Sequence, residues 1–238
     1  MTENELAKPE DVAGFNSLTP QDQRDLKQDV YIPNLTFVTG TSDVAKANPP
    51  LAHQGQYFGH NTALTDPVIF VCHVRRHAIF FKNKEKIAES FNPKSPIYQD
   101  IKADVPNYDF NKGYCPRECL SFLVYVPALG DFCILYPASK TQRSVAGDII
   151  KYTTPIKDRD SDASKELGVA HLFKLGNTQL TNKFKTLIPT ATPLFEPPED
   201  YASPGEDALA RAVKIFLRPV IAELENPVEE APESEDER

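Results

Sequence analysis

The chain has 238 residues, of which 40% are hydrophobic, 10% aromatic and 25% charged, an ordinary globular composition that argues against wholesale disorder. Its 21 prolines and only 10 glycines disfavour a long helical bundle, because proline ends helices and cannot donate in a central strand. The formal net charge of −8 at first argues against a nucleic-acid partner.

The charge is divided unevenly along the chain. Residues 1–29 carry a net charge of −4 and residues 196–238 a net charge of −9, whereas residues 30–195 carry +5. A basic body with acidic ends predicts a domain that meets an anion and a tail that competes with that anion. An ordinary domain with solvated ends is the alternative.

The first third of the chain predicts an arm, one short strand and a loop. Residues 1–29 are polar and acidic and are expected to form a flexible arm. Ordered structure should begin with the β-rich run 30–38. Residues 43–66 contain few apolar side chains and predict a loop around a short piece at Tyr57 and Phe58.

The clearest strand runs from Val68 to Lys82, where apolar residues alternate with others. One face has a basic middle formed by His73, Arg75 and His77. A bulge is expected near Arg75, because the run is long for one strand. The opposite face is expected to pack against the core and consists of Val68, Phe70, Cys72, Val74, Ala78 and Phe80.

The middle of the chain predicts a turn, a loop, a hairpin and a helix. Residues 82–86 form a basic turn, and the proline-punctuated stretch 90–113 predicts a long loop. The apolar runs 120–126 and 132–136 predict a hairpin. A capping-box pattern then predicts a helix over residues 139–152.

The last part of the chain predicts two strands, a helix and a tail. Residues 169–175 and 179–188 have strand-like patterns. A second capping box, Ser203–Glu206, precedes an apolar stripe typical of a helix, which Pro219 should kink or split. Residues 227–238 predict a disordered acidic tail.

These elements predict a mainly β protein of about six strands, a small barrel rather than a doubly wound sheet. The predicted domains are the arm 1–29, the barrel 30–195, a linker with the C-terminal helix 196–226, and the tail 227–238.

Metal binding is weakly indicated. Cys115 and Cys119 have a ligand-like spacing. His73 and His77 would lie about 13 Å apart along a strand, too far to share one ion. We therefore expect no metal, and Cys115 and Cys119 are only weak candidates.

Signatures of common enzymes are missing. The sequence has no phosphate loop, no dinucleotide fingerprint, no nucleophile elbow and no His-Glu-x-x-His motif. We therefore expect a non-catalytic protein without a cofactor. A small hydrolase whose triad is not local in sequence is an alternative.

Basic residues interleaved with aromatic ones form the remaining candidate site. Single-stranded nucleic acid is held by cations along its backbone and by aromatic faces under its bases. The candidate nucleic-acid-binding residues are Tyr57, Phe58, His73, Arg75, His77, Phe81, Lys82, Lys84, Lys86, Tyr114, Arg117, Tyr125, Lys140 and Arg143.

Several short motifs also follow one another in a suggestive order. They are Ile32–Val38 with Thr41 and Ser42, Gly55–Phe58, Phe122–Val126, Ala138–Thr141, and Leu172–Leu175 with Ile188 and Pro189. In this order and pattern, residues 31–195 resemble the OB-fold single-stranded-DNA-binding proteins of bacteriophages and plasmids. The resemblance implies that residues 31–195 form an OB-like β-barrel with one inserted helix, and the predicted C-terminal helix and acidic tail follow it.

The resemblance implies a protein that coats single-stranded DNA in DNA replication or recombination. Its acidic tail would contact replication or recombination proteins. The polar N-terminus and the lack of a long apolar run predict a cytoplasmic protein without a membrane partner, in the host cytoplasm for a viral chain. We expect Arg75→Ala to weaken DNA binding and leave folding intact. A structural or virion-associated interaction protein is the competing class.

Overall fold

The computed structural model describes residues 31–137, 143–153, 171–180 and 186–225. Within these ranges nine strands form one sheet that is strongly curled into a half-barrel, so the predicted mainly β fold is confirmed. The six predicted strands were too few, because the predicted loop 43–66 and the stretch after residue 82 also contain strands. The strands are β1 (Asn34–Phe37), β2 (Tyr57–Gly59), β3 (Thr62–Leu64), β4 (Val68–Lys82), β5 (Glu85–Ser90), β6 (Tyr114–Val126), β7 (Asp131–Leu135), β8 (Leu172–Gln179) and β9 (Leu187–Leu194).

The sheet has the order β3-β2-β1-β7-β6-β4-β8-β9, and β5 pairs with the second half of β4. The pair β1–β7 is parallel and the other pairs are antiparallel. Strand β4 is the centre of the sheet, because it pairs with β6 over most of its length and also with β5 and β8.

Four α-helices accompany the sheet in the described ranges, α1 (Asp43–Lys46), α2 (Pro96–Asp104), α3 (Arg143–Thr153) and α4 (Glu206–Glu225), together with two short 3-10 helices, Val105–Asn107 and Pro127–Leu129. Helix α2 lies in the stretch predicted as a loop, so the prediction of one inserted helix was wrong. Ser95 caps α2 by accepting from the Tyr98 amide, Pro96 occupies its first turn, and Tyr98 and Ile101 are buried. No described helix is both long and apolar enough to cross a membrane.

Helix α4 confirms the predicted C-terminal helix but differs in detail. It begins at Glu206, and Pro219 lies inside it without splitting it. The buried side chains on its inner face are Ala212 and Phe216.

Two tight turns shape the hairpins. His60 and Asn61 join β2 to β3, and Asn83 and Lys84 join β4 to β5, each with positive φ. Two consecutive residues with positive φ are typical of the two-residue hairpin turn that matches strand twist. The predicted basic turn at residues 82–86 is confirmed.

Strand β4 contains two irregularities. Its register with β6 shifts between Val71 and His73, and its register with β5 shifts between Phe80 and Phe81. The predicted bulge exists, but it does not lie at Arg75.

The first shift changes which side chains face the core. Ile69 and Val71 are buried in the main core, whereas Phe70 and Cys72 pack against the cluster under α4. The predicted core face of β4 was therefore wrong at its start, because a one-residue slip moves side chains to the opposite face of a sheet.

The described chain has a main core inside the curled sheet and two smaller clusters. The main core includes Leu35, Phe122, Ile149, Phe173 and Leu175. The second cluster lies under α4 and contains Ile32, Leu123, Tyr125, Phe132, Ala212 and Phe216. The third lies under α2 and contains Ala78, Tyr98 and Ile101.

Side chains bridge the two sides of the curled sheet. The Tyr57 hydroxyl donates to the Gly176 carbonyl at 3.3 Å, and the Asn177 amide donates to the Gly55 carbonyl at 2.9 Å. Strands β2 and β8 are not neighbours in the sheet order, so these bonds hold the curl without a strand ladder.

Candidate nucleic-acid interface

The structure separates the predicted binding residues into groups. Tyr57, Phe58 and Tyr125 lie on β2 and β6, away from the cationic positions. Arg143 is exposed at the start of α3, and Lys140 lies outside the described residues. A group under α4 consists of His73, Arg75 and His77. A group at the far end of the β4–β5–β6 hairpins, which we call the tip, consists of Phe81, Lys82, Lys84, Lys86, Tyr114 and Arg117.

The two buried tyrosines are core residues. Tyr57 is 1% exposed, its ring lies 5.3 Å from the Phe37 ring, and burial raises the pKa of its hydroxyl. Tyr125 is also buried, with its ring 5.3 Å from that of Phe132. Phe58, next to Tyr57 on β2, is more exposed than either tyrosine but still half-buried. Neither tyrosine presents a ring face on which a base can stack.

Helix α4 covers the basic face of β4. The guanidinium carbon of Arg75 lies 4.6 Å from the centre of the Phe91 ring and 4.4 Å from that of Phe216. Arg75 also donates to the Phe216 carbonyl. Burial lowers the pKa of this guanidinium. The His73 ring lies 6.1 Å from that of Phe216, so both residues lie beneath the helix.

His77 continues this stack into the interior. Its ring lies 5.3 Å from Phe91 and 5.2 Å from Tyr136, and its Nε2 atom lies 3.9 Å from the Glu89 carboxylate. Burial lowers the pKa of His77 to about 4, against a smaller opposing effect of Glu89. His77 is therefore neutral at pH 7. The predicted basic face of β4 is not an open surface.

The tip brings together the other cationic candidates. Lys82 pairs with Tyr114 across β4 and β6, and Phe81 pairs with Cys115. The turn that carries Lys84 follows directly. These residues are distant in sequence, but the long hairpin places them at one end of the sheet.

Gly113 fixes the loop before β6 against the β4–β5 turn. Its φ is +67°, and the Asn83 amide donates to its carbonyl at 2.8 Å. A Cβ atom at Gly113 would lie 2.6 Å from the Asn83 Oδ1 atom and 3.2 Å from the Asn83 backbone. The close approach therefore requires glycine.

A cleft with a volume of about 570 Å³ opens between the turn and the loop. Phe110, on its rim, is 71% exposed, although large apolar side chains are usually covered. Sequence reasoning missed Phe110 and Lys112; an aromatic residue within the polar run Asp109–Lys112 was the available signal. The lining residues are Phe81, Asn83, Lys84, Phe110, Asn111, Lys112, Gly113, Cys115 and Arg117.

Cations surround this cleft. Arg117 lies 5.5 Å from the centre of the Tyr108 ring, which is itself exposed. Lys112 is paired with Asp109 at 3.6 Å on the surface. Lys84 forms no ion pair with the described residues, so its charge is available to a ligand.

Tyr114 and Lys86 have local partners. The Tyr114 hydroxyl donates to Asp104 on α2, which raises the pKa of Tyr114 and lowers that of Asp104. Lys86 Nζ lies 2.7 Å from Glu89. Tyr114 thus anchors the loop to α2, and Lys86 contributes less free charge than Lys84.

The cysteines do not form a half-site for a metal. Cys115 and Cys119 both lie on β6, where four residues span about 13 Å. Cys119 accepts from the Tyr136 hydroxyl at 3.3 Å, and burial raises the pKa of its thiol. Within the described ranges, no three histidine, cysteine or carboxylate side chains converge.

Comparisons with known proteins do not assign a function to this site. No protein-family model, curated protein or solved structure matches this chain.

Proposed function

We propose that the protein binds single-stranded nucleic acid without catalysis, through the cleft at the tip. The observation that carries the proposal is an exposed aromatic ring, Phe110, at the rim of a cleft that Lys84, Lys112 and Arg117 also line. Single-stranded DNA in replication or recombination is the expected partner.

The arrangement suits an unpaired strand. In a duplex the base faces are stacked on one another, whereas an unpaired base can place a face on Phe110. Such stacking contributes about 1–3 kcal/mol per base and tolerates any sequence. The lysines around the cleft can neutralise phosphates on either side of that base.

An OB-like relationship is part of this proposal. An OB-fold is a partly open Greek-key barrel of five strands. The strongly curled, mainly antiparallel sheet with its long central strand supports the relationship. The sheet has nine strands rather than five, and helix α4 packs against it.

The acidic tail has a role in the same proposal. Residues 227–238 lie outside the described residues, and their sequence contains six carboxylates and one arginine. A tethered acidic segment competes with phosphate for a basic surface on the same molecule. We propose that it also contacts replication or recombination proteins in the cytoplasm, or in the host cytoplasm for a viral chain.

The test is a fluorescence-anisotropy titration with labelled oligothymidylate and a hairpin duplex at several salt concentrations. Wild-type protein should prefer the single strand, and log affinity should fall with log salt by roughly 0.7 per phosphate neutralised. Phe110→Ala should weaken binding by about 5- to 150-fold. The control Phe195→Ala removes another exposed phenylalanine ring, 48% exposed, on a different part of the surface and should leave affinity unchanged.

Tighter binding to the duplex, or an affinity independent of salt, contradicts the proposal. Equal losses in the two variants contradict the assignment to the tip. An absence of binding to either nucleic acid would favour the structural or virion-associated class.

A further inference from the structure

An oxyanion is held where β5 ends beneath α4. The Glu223 carboxylate accepts from the Phe91 amide at 2.6 Å and from the Asn92 amide at 3.1 Å, and the Ser90 hydroxyl also donates to it. Two successive backbone N–H groups and a hydroxyl that converge on one carboxylate form an anion-binding nest. The chain fills this nest with its own side chain, from a residue about 130 positions later.

Arg75 provides a positive charge next to the nest. The ring of Phe91, whose amide belongs to the nest, stacks on both Arg75 and His77. The Arg75 Nε atom is buried and has no hydrogen-bond partner among the described residues. Buried donors without partners are rare because desolvation is then uncompensated. A phosphate has more acceptor oxygens than a carboxylate, so it can accept from both amides and the hydroxyl of the nest, and the nearby charge of Arg75 favours an anion there.

The end of α4 that carries Glu223 buries little apolar surface and is held on the sheet by the hydrogen bonds of Glu223. Pro219 has no N–H group and cannot donate to the carbonyl four residues earlier. Beyond it, Ile221 is 42% and Leu224 59% exposed, so little apolar burial keeps the last two turns on the sheet. Phe216, by contrast, is 1% exposed and anchors the preceding part of the helix.

We propose that the Ser90–Asn92 nest is a second phosphate-binding site for single-stranded nucleic acid, and that Glu223 occupies it in the free protein. The inference rests on the proposed function for the identity of its ligand. Entry of a phosphate displaces the Glu223 carboxylate and releases the helix after Pro219, while Phe216 keeps the rest of α4 in place.

The nest and the cleft are within reach of one strand of nucleic acid. Strand β5 leads from the β4–β5 turn at Glu85 to the nest at Ser90, a path of roughly 17 Å at about 3.4 Å per residue. An oligonucleotide of several nucleotides can therefore contact Lys84 with one end and the nest with its other end.

The test compares Glu223→Gln with Glu225→Gln in the anisotropy titration with labelled oligothymidylate at low salt. Both variants remove one negative charge from the same turn, but Glu225 is exposed. Glu223→Gln should bind about three- to tenfold more tightly, because the nest is no longer occupied by a charged competitor. Glu225→Gln should stay within about twofold of wild type.

A second measurement uses the wild-type chain. Hydrogen exchange at the amides of residues 220–225 should become faster when oligothymidylate binds, because the end of α4 is released. Unchanged or slower exchange there overturns the inference, as does equal affinity of the two glutamine variants.

The same experiments separate the two proposals. If wild-type protein binds oligothymidylate and loses affinity on Phe110→Ala, but Glu223→Gln has no effect, the nest is overturned and the proposed function stands. If Glu223→Gln strengthens binding while Phe110→Ala has no effect, the nest is supported and the assignment to the tip fails. If no variant binds, both fail.

Discussion

Two arginines on neighbouring strands show what burial does to the same chemistry. Arg75 on β4 lies between the rings of Phe91 and Phe216 and donates to a backbone carbonyl. Arg117 on β6 is half-buried, but it lies over the exposed ring of Tyr108 and lines the open cleft at the tip. Each is a cation stacked on an aromatic ring, but only the second is accessible to a ligand.

The difference teaches that a cation–aromatic pair does not by itself identify a binding surface. A desolvated cation–π contact contributes about 2 kcal/mol or more, whereas an exposed one contributes about 0.5–1 kcal/mol. The buried pair therefore acts mainly on the stability of the α4 contact, and the exposed pair is free to exchange its partner for a nucleobase.

The largest expected effect is the difference in the free energy of unfolding between the alanine variants of these two arginines. Arg75→Ala should lower the free energy of unfolding by about 3 kcal/mol, because it removes two ring contacts and a charged hydrogen bond. Arg117→Ala should change it by less than about 0.5 kcal/mol. Urea denaturation measures both values. This replaces the expectation that Arg75→Ala leaves folding intact, and equal values for the two variants would contradict the comparison.

A somewhat smaller effect concerns His77, beside Arg75 in the covered stack. Its pKa of about 4 in the folded chain is below the ordinary value near 6.5, so the unfolded chain binds more protons between these pH values. Stability due to neutral His77 is complete above about pH 6.5 and is lost as the pH falls towards 4. By pH 5 the loss should be roughly 2 kcal/mol.

His77→Phe is the control for this prediction, since it keeps a ring between Phe91 and Tyr136 but does not titrate. The free energy of unfolding, measured at pH 7 and pH 5, should fall less in this variant than in wild type. Equal losses would mean that Glu89 and the other carboxylates, rather than His77, determine the pH dependence.

The smallest expected effect sharpens the description of the tip. Gly113→Ala forces a Cβ atom against Asn83 at a position with φ of +67°. Gly130→Ala is the matched control, because its φ is +65° but no atom lies within 4 Å of the added Cβ. Both changes should cost about 1–2 kcal/mol of backbone strain. Only Gly113→Ala should also weaken binding of oligothymidylate in the anisotropy titration. Equal affinities of the two variants for oligothymidylate would show that Gly113 does not shape the binding cleft.

Local patterns predicted much of the fold. Alternation identified β4, the two apolar runs identified the β6–β7 hairpin, and charge with asparagine identified the turn at residues 82–86. Helix α2 was missed because Pro93, Pro96 and Pro106 punctuate this stretch and suggested a loop, although Pro96 occupies a position at which proline starts a helix.

The site was harder to predict because it depends on contacts between distant residues. The irregularity between Val71 and His73 reverses the faces of β4, and a period-2 pattern contains no information about its position. The cover over Arg75 comes from Phe216, which is 141 residues away. Phe110 gains its significance only when Gly113 holds its loop beside the β4–β5 turn.

The most direct test of the central claim is photocrosslinking with an oligonucleotide that contains 5-iododeoxyuridine, followed by mass spectrometry of the crosslinked peptides. Aromatic side chains stacked on the base are the expected partners. The account predicts crosslinks at Phe110 and Tyr108, and their loss in Phe110→Ala together with most of the affinity. Crosslinks confined to Phe58 or to α3, with none in residues 108–117, would contradict it.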